Sequence, residues 1–122
     1  MKVSSADAIF RSARYSKHIR KLDLRSNRLG TGCLESLIEL LEKSTSLEEL
    51  YIGGNYLSGK SGEKVFNCLQ SNKYLRVFDY SFNQLGDDGD NFAAQAISNY
   101  LQSNRSLEHL DLSFNNFTKE AS

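Results

Sequence analysis

The sequence has no proline, no net charge and no long apolar run. Because proline removes a backbone donor from a helix interior, its absence leaves every helical segment uninterrupted. No apolar run approaches the roughly 18 residues of a transmembrane helix. The first residues, 1–7, also lack the apolar core of a signal peptide. Association with a membrane is therefore not expected.

Charge is balanced over the whole chain but unevenly distributed. Residues 1–28 carry eight basic side chains against two acidic ones, Asp7 and Asp23, so the remainder is acidic. One end of the molecule is therefore predicted to be electropositive. The patch is local and lacks interleaved aromatic residues, so it does not indicate nucleic-acid binding. With 39% hydrophobic and 25% charged residues among 122, the composition is typical of one folded domain with a core.

A pattern of apolar residues around one asparagine, L-x-x-L-x-L-x-x-N-x-L, recurs in a single register. Its clearest copy runs from Leu47 to Leu57. The corresponding positions of the other copies are Ile19, Leu22, Leu24, Asn27 and Leu29; Leu75, Phe78, Tyr80, Asn83 and Leu85; and Leu107, Leu110, Leu112, Asn115 and Phe117. Successive copies begin 28, 28 and 32 residues apart, so the third repeat has four extra residues, which fall between Leu85 and Ala94. One copy would be common by chance, whereas this recurrence indicates a repeat architecture.

Each repeat is predicted to form a short strand, a turn at the asparagine and a helix of about three turns. The helices are predicted at 5–16, 33–43, 61–71 and 92–103. Two leucines separated by one residue lie on the same side of a strand, and the helix of the repeat covers that side while neighbouring strands pair in parallel. Because one unit cannot bury its own apolar face, stacking of the repeats stabilises the fold.

The asparagine of each repeat is predicted to point inward. The chain leaves the strand sharply at this position and turns backbone donors and acceptors toward the core. An amide side chain offers both a carbonyl oxygen and an NH₂ group to these backbone groups. We therefore expect Asn83→Ala to cost about 1–3 kcal/mol.

In its 28-residue period, its outer helices and turns such as Leu85-Gly86-Asp87-Asp88-Gly89, the chain resembles the ribonuclease-inhibitor class of leucine-rich repeat proteins over nearly its whole length. The resemblance implies an α/β leucine-rich repeat solenoid with parallel strands on the concave face and helices on the convex face. Residues 1–122 would form a single leucine-rich repeat domain, with an N-terminal helix at 5–16, repeats starting near 19, 47 and 75, and a partial repeat from 107. The sequence ends just after a strand without the cap that solenoids need, so we expect a segment of a longer protein. The alternative is that a partner or a second copy covers the last strand.

The two cysteines indicate a reducing compartment. Cys33 falls in the loop before a helix and Cys68 falls on a helix, so their repeat positions do not match as a structural disulfide requires. The cysteine-rich end caps usual in extracellular repeat arrays are also missing. A cytoplasmic location is therefore predicted.

The stretch from Gly54 to Ser61 satisfies the phosphate-binding pattern G-x-x-x-x-G-K-[ST] and lies between a predicted strand and a predicted helix. A phosphate cradle requires backbone N–H groups that are free and converge on the ligand. Asn55 and Leu57, however, occupy repeat positions whose side chains turn inward. Asp79, which could pass for a magnesium ligand, matches Asp23 and is explained by the repeat. Nucleotide binding through residues 54–61 is therefore the weaker interpretation.

No enzymatic site can be assembled from this sequence. The acidic segment 87–91 lacks the glutamate that an EF-hand starting at Asp88 would need, because position 99 is Asn. His18 and His109 fall in different repeats, far from either cysteine, so neither a nucleophile–base pair nor a metal site is indicated. We expect no catalytic residue, no metal and no cofactor.

The outward strand positions form columns across the repeats. The first column is Lys21, Glu49, Val77 and His109; the second is Asp23, Tyr51, Asp79 and Asp111; the third is Arg25, Gly53, Ser81 and Ser113, with Phe82 and Phe114 next to it. Aromatic anchors dominate many interfaces, and an aligned aspartate column favours a basic partner. The predicted partner-binding residues are Lys21, Asp23, Arg25, Glu49, Tyr51, Asp79, His109 and Asp111.

These columns favour a non-catalytic, cytoplasmic protein-interaction module that binds a protein partner on its concave strand face. The alternative is a self-assembling or scaffold segment that associates through uncapped solenoid ends, one positive and one acidic. Regulation of a small GTPase is a further hypothesis that depends on the resemblance alone, because the class includes GTPase-activating proteins for Ran. No residue of that activity can be assigned in this sequence.

Overall fold

The computed structural model describes residues 3–85 and 92–115. In this part of the chain, helices alternate with short strands in the order α1 Val3–Ala13, β1 Lys21–Asp23, α2 Leu34–Lys43, β2 Glu49–Tyr51, α3 Gly59–Leu69, β3 Val77–Asp79, α4 Phe92–Ser103 and β4 His109–Asp111. The acidic segment 87–91, with the four-residue insertion predicted around it, lies outside the described residues.

Helix α1 spans Val3–Ala13, whereas the sequence pattern predicted 5–16. The chain leaves the helix early because Ser16 forms a turn. The Ser16 hydroxyl accepts hydrogen bonds of 3.1 Å from the backbone N–H groups of His18 and Ile19. A short side chain that bonds nearby backbone groups offers the chain an alternative to the helix, and that local bond ends α1.

The strands form one parallel sheet in the order β1-β2-β3-β4. Each strand pairs with the next in an unshifted register, so that Leu22, Leu50, Phe78 and Leu110 lie side by side. The helix between each pair of strands lies over the apolar side of the sheet, and consecutive helices pack on one another. The predicted α/β leucine-rich repeat solenoid is therefore confirmed, with its strands on the concave face and its helices on the convex face.

A single apolar core runs along the solenoid between the sheet and the helices. Its densest part is an aromatic cluster of Phe66, Phe78, Tyr80 and Tyr100. The Phe66 ring centroid lies 5.7 Å from the centroids of Phe78 and Tyr80 and 5.8 Å from that of Tyr100. Because Phe66 comes from α3, Phe78 from β3 and Tyr100 from α4, the cluster joins three successive elements of the solenoid.

The repeat asparagines form a buried ladder, which confirms their predicted role. The Asn83 side-chain NH₂ donates to the carbonyl oxygens of Ile52, Tyr80 and Ser81 at 3.1–3.2 Å. Its side-chain oxygen accepts from the N–H groups of Asn55 and Leu57 at 2.9 and 3.1 Å. Asn55 makes the equivalent bonds one repeat earlier, donating to Leu24, Ile52 and Gly53 and accepting from Asn27 and Leu29. The side chain of each repeat thus satisfies the backbone of the preceding one, and this linkage fixes the stacking of the turns.

None of the helices within residues 3–85 and 92–115 has the length and apolar character needed to cross a membrane.

Candidate partner-binding face

The strand face is the side of β1–β4 that points away from the helices. Pairing of the strands aligns Lys21, Glu49, Val77 and His109 in one column and Asp23, Tyr51, Asp79 and Asp111 in the next. Backbone bonds continue this alignment past the strand ends, since the N–H of Gly54 donates to Ser81 and that of Phe82 donates to Ser113. The structure therefore brings all eight residues named from the sequence onto one surface, with Arg25 two residues after the end of β1.

Charged side chains at the first two repeats of the strand face are paired with one another. The Arg25 guanidinium donates two hydrogen bonds, of 2.9 and 2.6 Å, to the Asp23 carboxylate. This hydrogen bonding lowers the pKa of Asp23. Both Arg25 and Lys21 also lie over the Tyr51 ring, at 5.0 and 5.3 Å from its centroid. The Tyr51 hydroxyl donates a 2.6 Å bond to Glu49, which raises the pKa of Tyr51. Tyr51, the predicted aromatic residue of the site, is therefore in contact with Lys21, Arg25 and Glu49 of the same face.

Carboxylates at the last two repeats of the strand face are held by serines instead of cations. Asp79 accepts a 2.6 Å bond from the Ser81 hydroxyl and a 2.9 Å bond from the Ser81 N–H. Asp111 is held by Ser113 in the same way, at 2.6 and 3.0 Å, and these bonds lower the pKa of Asp111. Among the described residues, no basic group lies within ion-pair distance of Asp79 or Asp111.

Gly53 leaves room for the hydrogen bonds between Asp79 and Ser81. A Cβ atom at Gly53 would lie 2.8 Å from the Ser81 hydroxyl oxygen and 3.1 Å from an Asp79 carboxylate oxygen. The first distance is shorter than real Cβ contacts and the second is tighter than most of them, so the Ser81 hydroxyl would have to shift to admit any other residue. The glycine in the second repeat thus permits the orientation of the carboxylate in the third.

Phe82 and Phe114 form a stacked pair at the turn edge of the strand face. Their ring centroids are 4.3 Å apart and the ring planes differ by 12°. Both are largely exposed, at 58% and 68%. The repeat pattern placed them beside the third column but gave no sign of this contact, because the residues are 32 positions apart. The predicted site residues did not include them.

Backbone N–H groups of the stretch from Gly54 to Ser61 form hydrogen bonds within the solenoid. The N–H groups of Asn55 and Leu57 donate to the Asn83 side chain, and the N–H of Gly54 donates to the Ser81 carbonyl. Ser58 caps α3, its hydroxyl accepting from the N–H of Ser61 at 3.2 Å. These N–H groups are therefore not free to form the phosphate cradle that the sequence pattern suggests.

A ladder of alternating charge crosses the edge of the sheet at which the strands begin. Arg20 lies 2.6 Å from Glu48, and Arg76 lies 3.6 Å from Glu48 and 3.7 Å from Glu108. These residues line a groove of about 430 Å³ with further basic side chains, including Lys73. Sequence reasoning missed this ladder, although Arg20, Glu48, Arg76 and Glu108 occupy the same position of successive repeats, and that was the signal for it.

The basic N-terminal end is partly neutralised by ion pairs. Arg11 lies 2.9 Å from Asp7, and Arg14 lies 3.1 Å from Glu39 of α2. Since Arg20 and Arg25 are also paired, the predicted electropositive end carries less free charge than its composition indicates.

Both thiols are poorly suited to nucleophilic chemistry. Burial raises the pKa of Cys33 and raises that of Cys68 to about 12, whereas the thiolate is the reactive form. Across the ranges that the structure describes, no group of three or more histidine, cysteine or acidic side chains is placed to hold a metal ion.

Comparison with protein families gives matches to two repeat models. The model described as "Leucine Rich repeat" matches residues 15–37, 71–89 and 103–121, together half of the chain. A second, "Leucine Rich Repeat", matches residues 46–68. The matches follow the repeat units seen in the structure.

Several curated proteins are similar to this chain over most of its length. It is 32% identical over 77 residues, 63% of the chain, to the protein phosphatase 1 regulatory subunit 37 homolog of Caenorhabditis elegans. It is 32% identical over 75 residues, 61% of the chain, to the ribonuclease inhibitor of Sus scrofa. It is 34% identical over 87 residues, 70% of the chain, to NACHT, LRR and PYD domains-containing protein 12 of Homo sapiens. These matches cover only 8%, 16% and 8% of the respective relatives.

Solved structures share the fold. A structure titled "Leiomodin-1 Actin-Binding Site 2" superimposes with a TM-score of 0.74 at 12% identity, over 96% of this chain and 66% of that one. The tropomodulin C-terminal domain of Caenorhabditis elegans gives a TM-score of 0.65 at 17% identity, over 98% of this chain and 86% of that one. At these identities the likeness establishes the fold alone.

Proposed function

Because the chain belongs to the leucine-rich repeat family and resembles its ribonuclease-inhibitor-like class, we propose that it is a non-catalytic module that binds a protein partner on its concave strand face. The observation that carries this proposal is the unshifted pairing of four strands. It gathers side chains from every repeat into one continuous surface.

The rigidity of the strand face supports a binding role. The side chains project from paired strands whose turns are locked by the buried asparagine ladder, with Asn55 and Asn83 both inaccessible or nearly so. A surface held in place before binding loses little conformational freedom when a partner docks, which favours affinity. Tyr51 and Arg25 on this surface belong to the residue types that are enriched at protein interfaces.

The names of the similar proteins support the same role. They describe a regulatory subunit of a phosphatase, an inhibitor of ribonuclease and an actin-binding site, and each of these names refers to action on another protein.

For this chain we propose the interaction role in general and a cytoplasmic location. The free state of Cys33 and Cys68 is consistent with a reducing compartment.

Photo-crosslinking from single positions tests this proposal even though the partner is unidentified. Benzoylphenylalanine is introduced at Val77, a half-buried residue at the centre of the strand face, and in a matched variant at Asn67, an exposed residue of α3. After irradiation in source-cell extract, mass spectrometry identifies the adducts. We expect one protein to be attached at position 77 and absent at position 67. Adducts formed at position 67 alone would place the interaction on the helices and contradict the proposal.

A further inference from the structure

Phe82 and Phe114 expose two stacked phenyl rings to water at the turn edge of the strand face. We call these two residues the phenylalanine pair. Other exposed aromatic side chains, such as Tyr15 and Tyr74, occur singly and carry a polar hydroxyl. Isolated exposed apolar groups are ordinary, but a contiguous apolar patch with a polar rim marks an interaction site.

The backbone at the phenylalanine pair indicates that the fold does not require phenylalanine there. Phe82 and Phe114 have φ angles of 53° and 58°, in the left-handed region that disfavours bulky side chains. The equivalent residues of the first two repeats, Ser26 and Gly54, have the same conformation, with φ of 59° and 72°. The repeat therefore imposes the conformation, and glycine satisfies it without strain. Each phenylalanine therefore occupies a strained backbone conformation, and strain of this kind clusters at sites that bind ligands.

The charge beside the phenylalanine pair is negative. Asp79 and Asp111 lie directly opposite each other on β3 and β4, so their backbones are separated by the strand spacing of about 4.8 Å. Their serine partners, Ser81 and Ser113, immediately precede the two phenylalanines in sequence. Within the described ranges neither carboxylate has an ion-pair partner, whereas Asp23, at the same position of the first repeat, is paired with Arg25. Two carboxylates without ion-pair partners on neighbouring strands favour a cationic group from a partner over a neutral or acidic one.

We propose that the phenylalanine pair and the Asp79–Asp111 carboxylates together form the anchoring site of the strand face, and that it receives an arginine side chain from a basic, extended segment of the protein partner. A guanidinium group is planar, can donate to both carboxylates and stacks on aromatic faces, and its aliphatic stem packs against apolar surface. Serine bonds hold each carboxylate in place before binding. This inference rests on the proposed function, because it names the chemistry that the strand face recognises.

Heteronuclear NMR of the labelled chain tests the inference with defined probes. The probe is an acetylated Arg-Ser-Arg-Ser-Arg-Ser-Arg peptide, and the control peptide has glutamine in place of each arginine. The amide signals of Ser81, Phe82, Ser113 and Phe114 are expected to shift on titration with the arginine peptide at millimolar concentration. The glutamine peptide is expected to leave them unmoved.

Two double variants test the two halves of the site. Asparagine tolerates the left-handed conformation, so F82N/F114N removes the rings without adding backbone strain, and D79N/D111N removes the charge while keeping the side-chain shape. We expect each to weaken binding about tenfold, or about 1.4 kcal/mol. The matched controls are Tyr56→Asn, which changes an exposed aromatic residue with φ of 59° outside the site, and Glu42→Gln, which removes an exposed carboxylate from α2; both should keep wild-type affinity.

The outcomes separate this inference from the proposed function. Any of three results would overturn the arginine site. They are wild-type affinity in either double variant, equal binding of both peptides, and the absence of any shift of the amide signals on titration. Shifts confined to the neighbourhood of Tyr51 would overturn it too, while leaving binding on the strand face intact. Shifts confined to the helices would contradict both.

Discussion

Replacing Phe66 by alanine is expected to lower the free energy of unfolding by about 3–5 kcal/mol. Phe66 is fully buried, and its ring contacts the rings of Phe78, Tyr80 and Tyr100. Removing it deletes apolar contacts and leaves a cavity where α3, β3 and α4 meet. Since domains of this size are stable by about 5–15 kcal/mol, the loss is a large part of the total.

Urea denaturation monitored by circular dichroism measures this loss. Phe114→Ala is the matched control, because it removes the same phenyl group from a site that is 68% exposed. We expect the control to change stability by less than about 1 kcal/mol. Equal losses in the two variants would mean that the aromatic cluster does not hold the repeats together.

Asn83→Ala is expected to cost about 3–5 kcal/mol, more than the sequence alone indicated, because each buried polar group left unpaired costs about 1–3 kcal/mol. The Asn83 side chain bonds five backbone groups: the carbonyl oxygens of Ile52, Tyr80 and Ser81 and the N–H groups of Asn55 and Leu57. A solvating water would recover only part of these bonds, so the substitution loosens the junction between the second and third repeats.

Asn27→Ala provides the matched comparison for the asparagine ladder. Asn27 is half-buried and its side chain donates to only two carbonyl oxygens, those of Leu24 and Arg25. Its loss is expected to cost about 1 kcal/mol. Thermal and urea unfolding of both variants measure the difference, and a smaller effect at Asn83 than at Asn27 would refute the ladder as the element that locks the turns.

The fold was predictable from the sequence because the signal recurs at a fixed period. Leu22, Leu50, Phe78 and Leu110 occupy one repeat position, and the strands pair with these residues side by side even though the third repeat is four residues longer. The columns of the strand face follow from the same spacing. The early end of α1 was not predictable in this way, since it depends on the local turn at Ser16.

The organisation of the strand face was less accessible to sequence reasoning. Tyr51 was predicted to be a partner-binding residue, but the repeat pattern did not indicate that Lys21 and Arg25 lie over its ring. The stacking of Phe82 on Phe114 and the serine-held carboxylate of Asp79 are likewise properties of side-chain geometry. A repeat pattern gives the position of each side chain but not the rotamer or partner it adopts.

The central claim is that the strand face is the binding surface. Carboxyl-group footprinting of the complex between this chain and the partner identified by crosslinking tests it most directly. Carbodiimide labelling followed by mass spectrometry reports the accessibility of each carboxylate in the free and bound states. We predict that labelling of Glu49, Asp79 and Asp111 falls on binding, while Glu35 and Glu42, exposed on α2, are labelled equally in both states. Protection of Glu35 and Glu42 with unchanged labelling of the strand-face carboxylates would contradict the account.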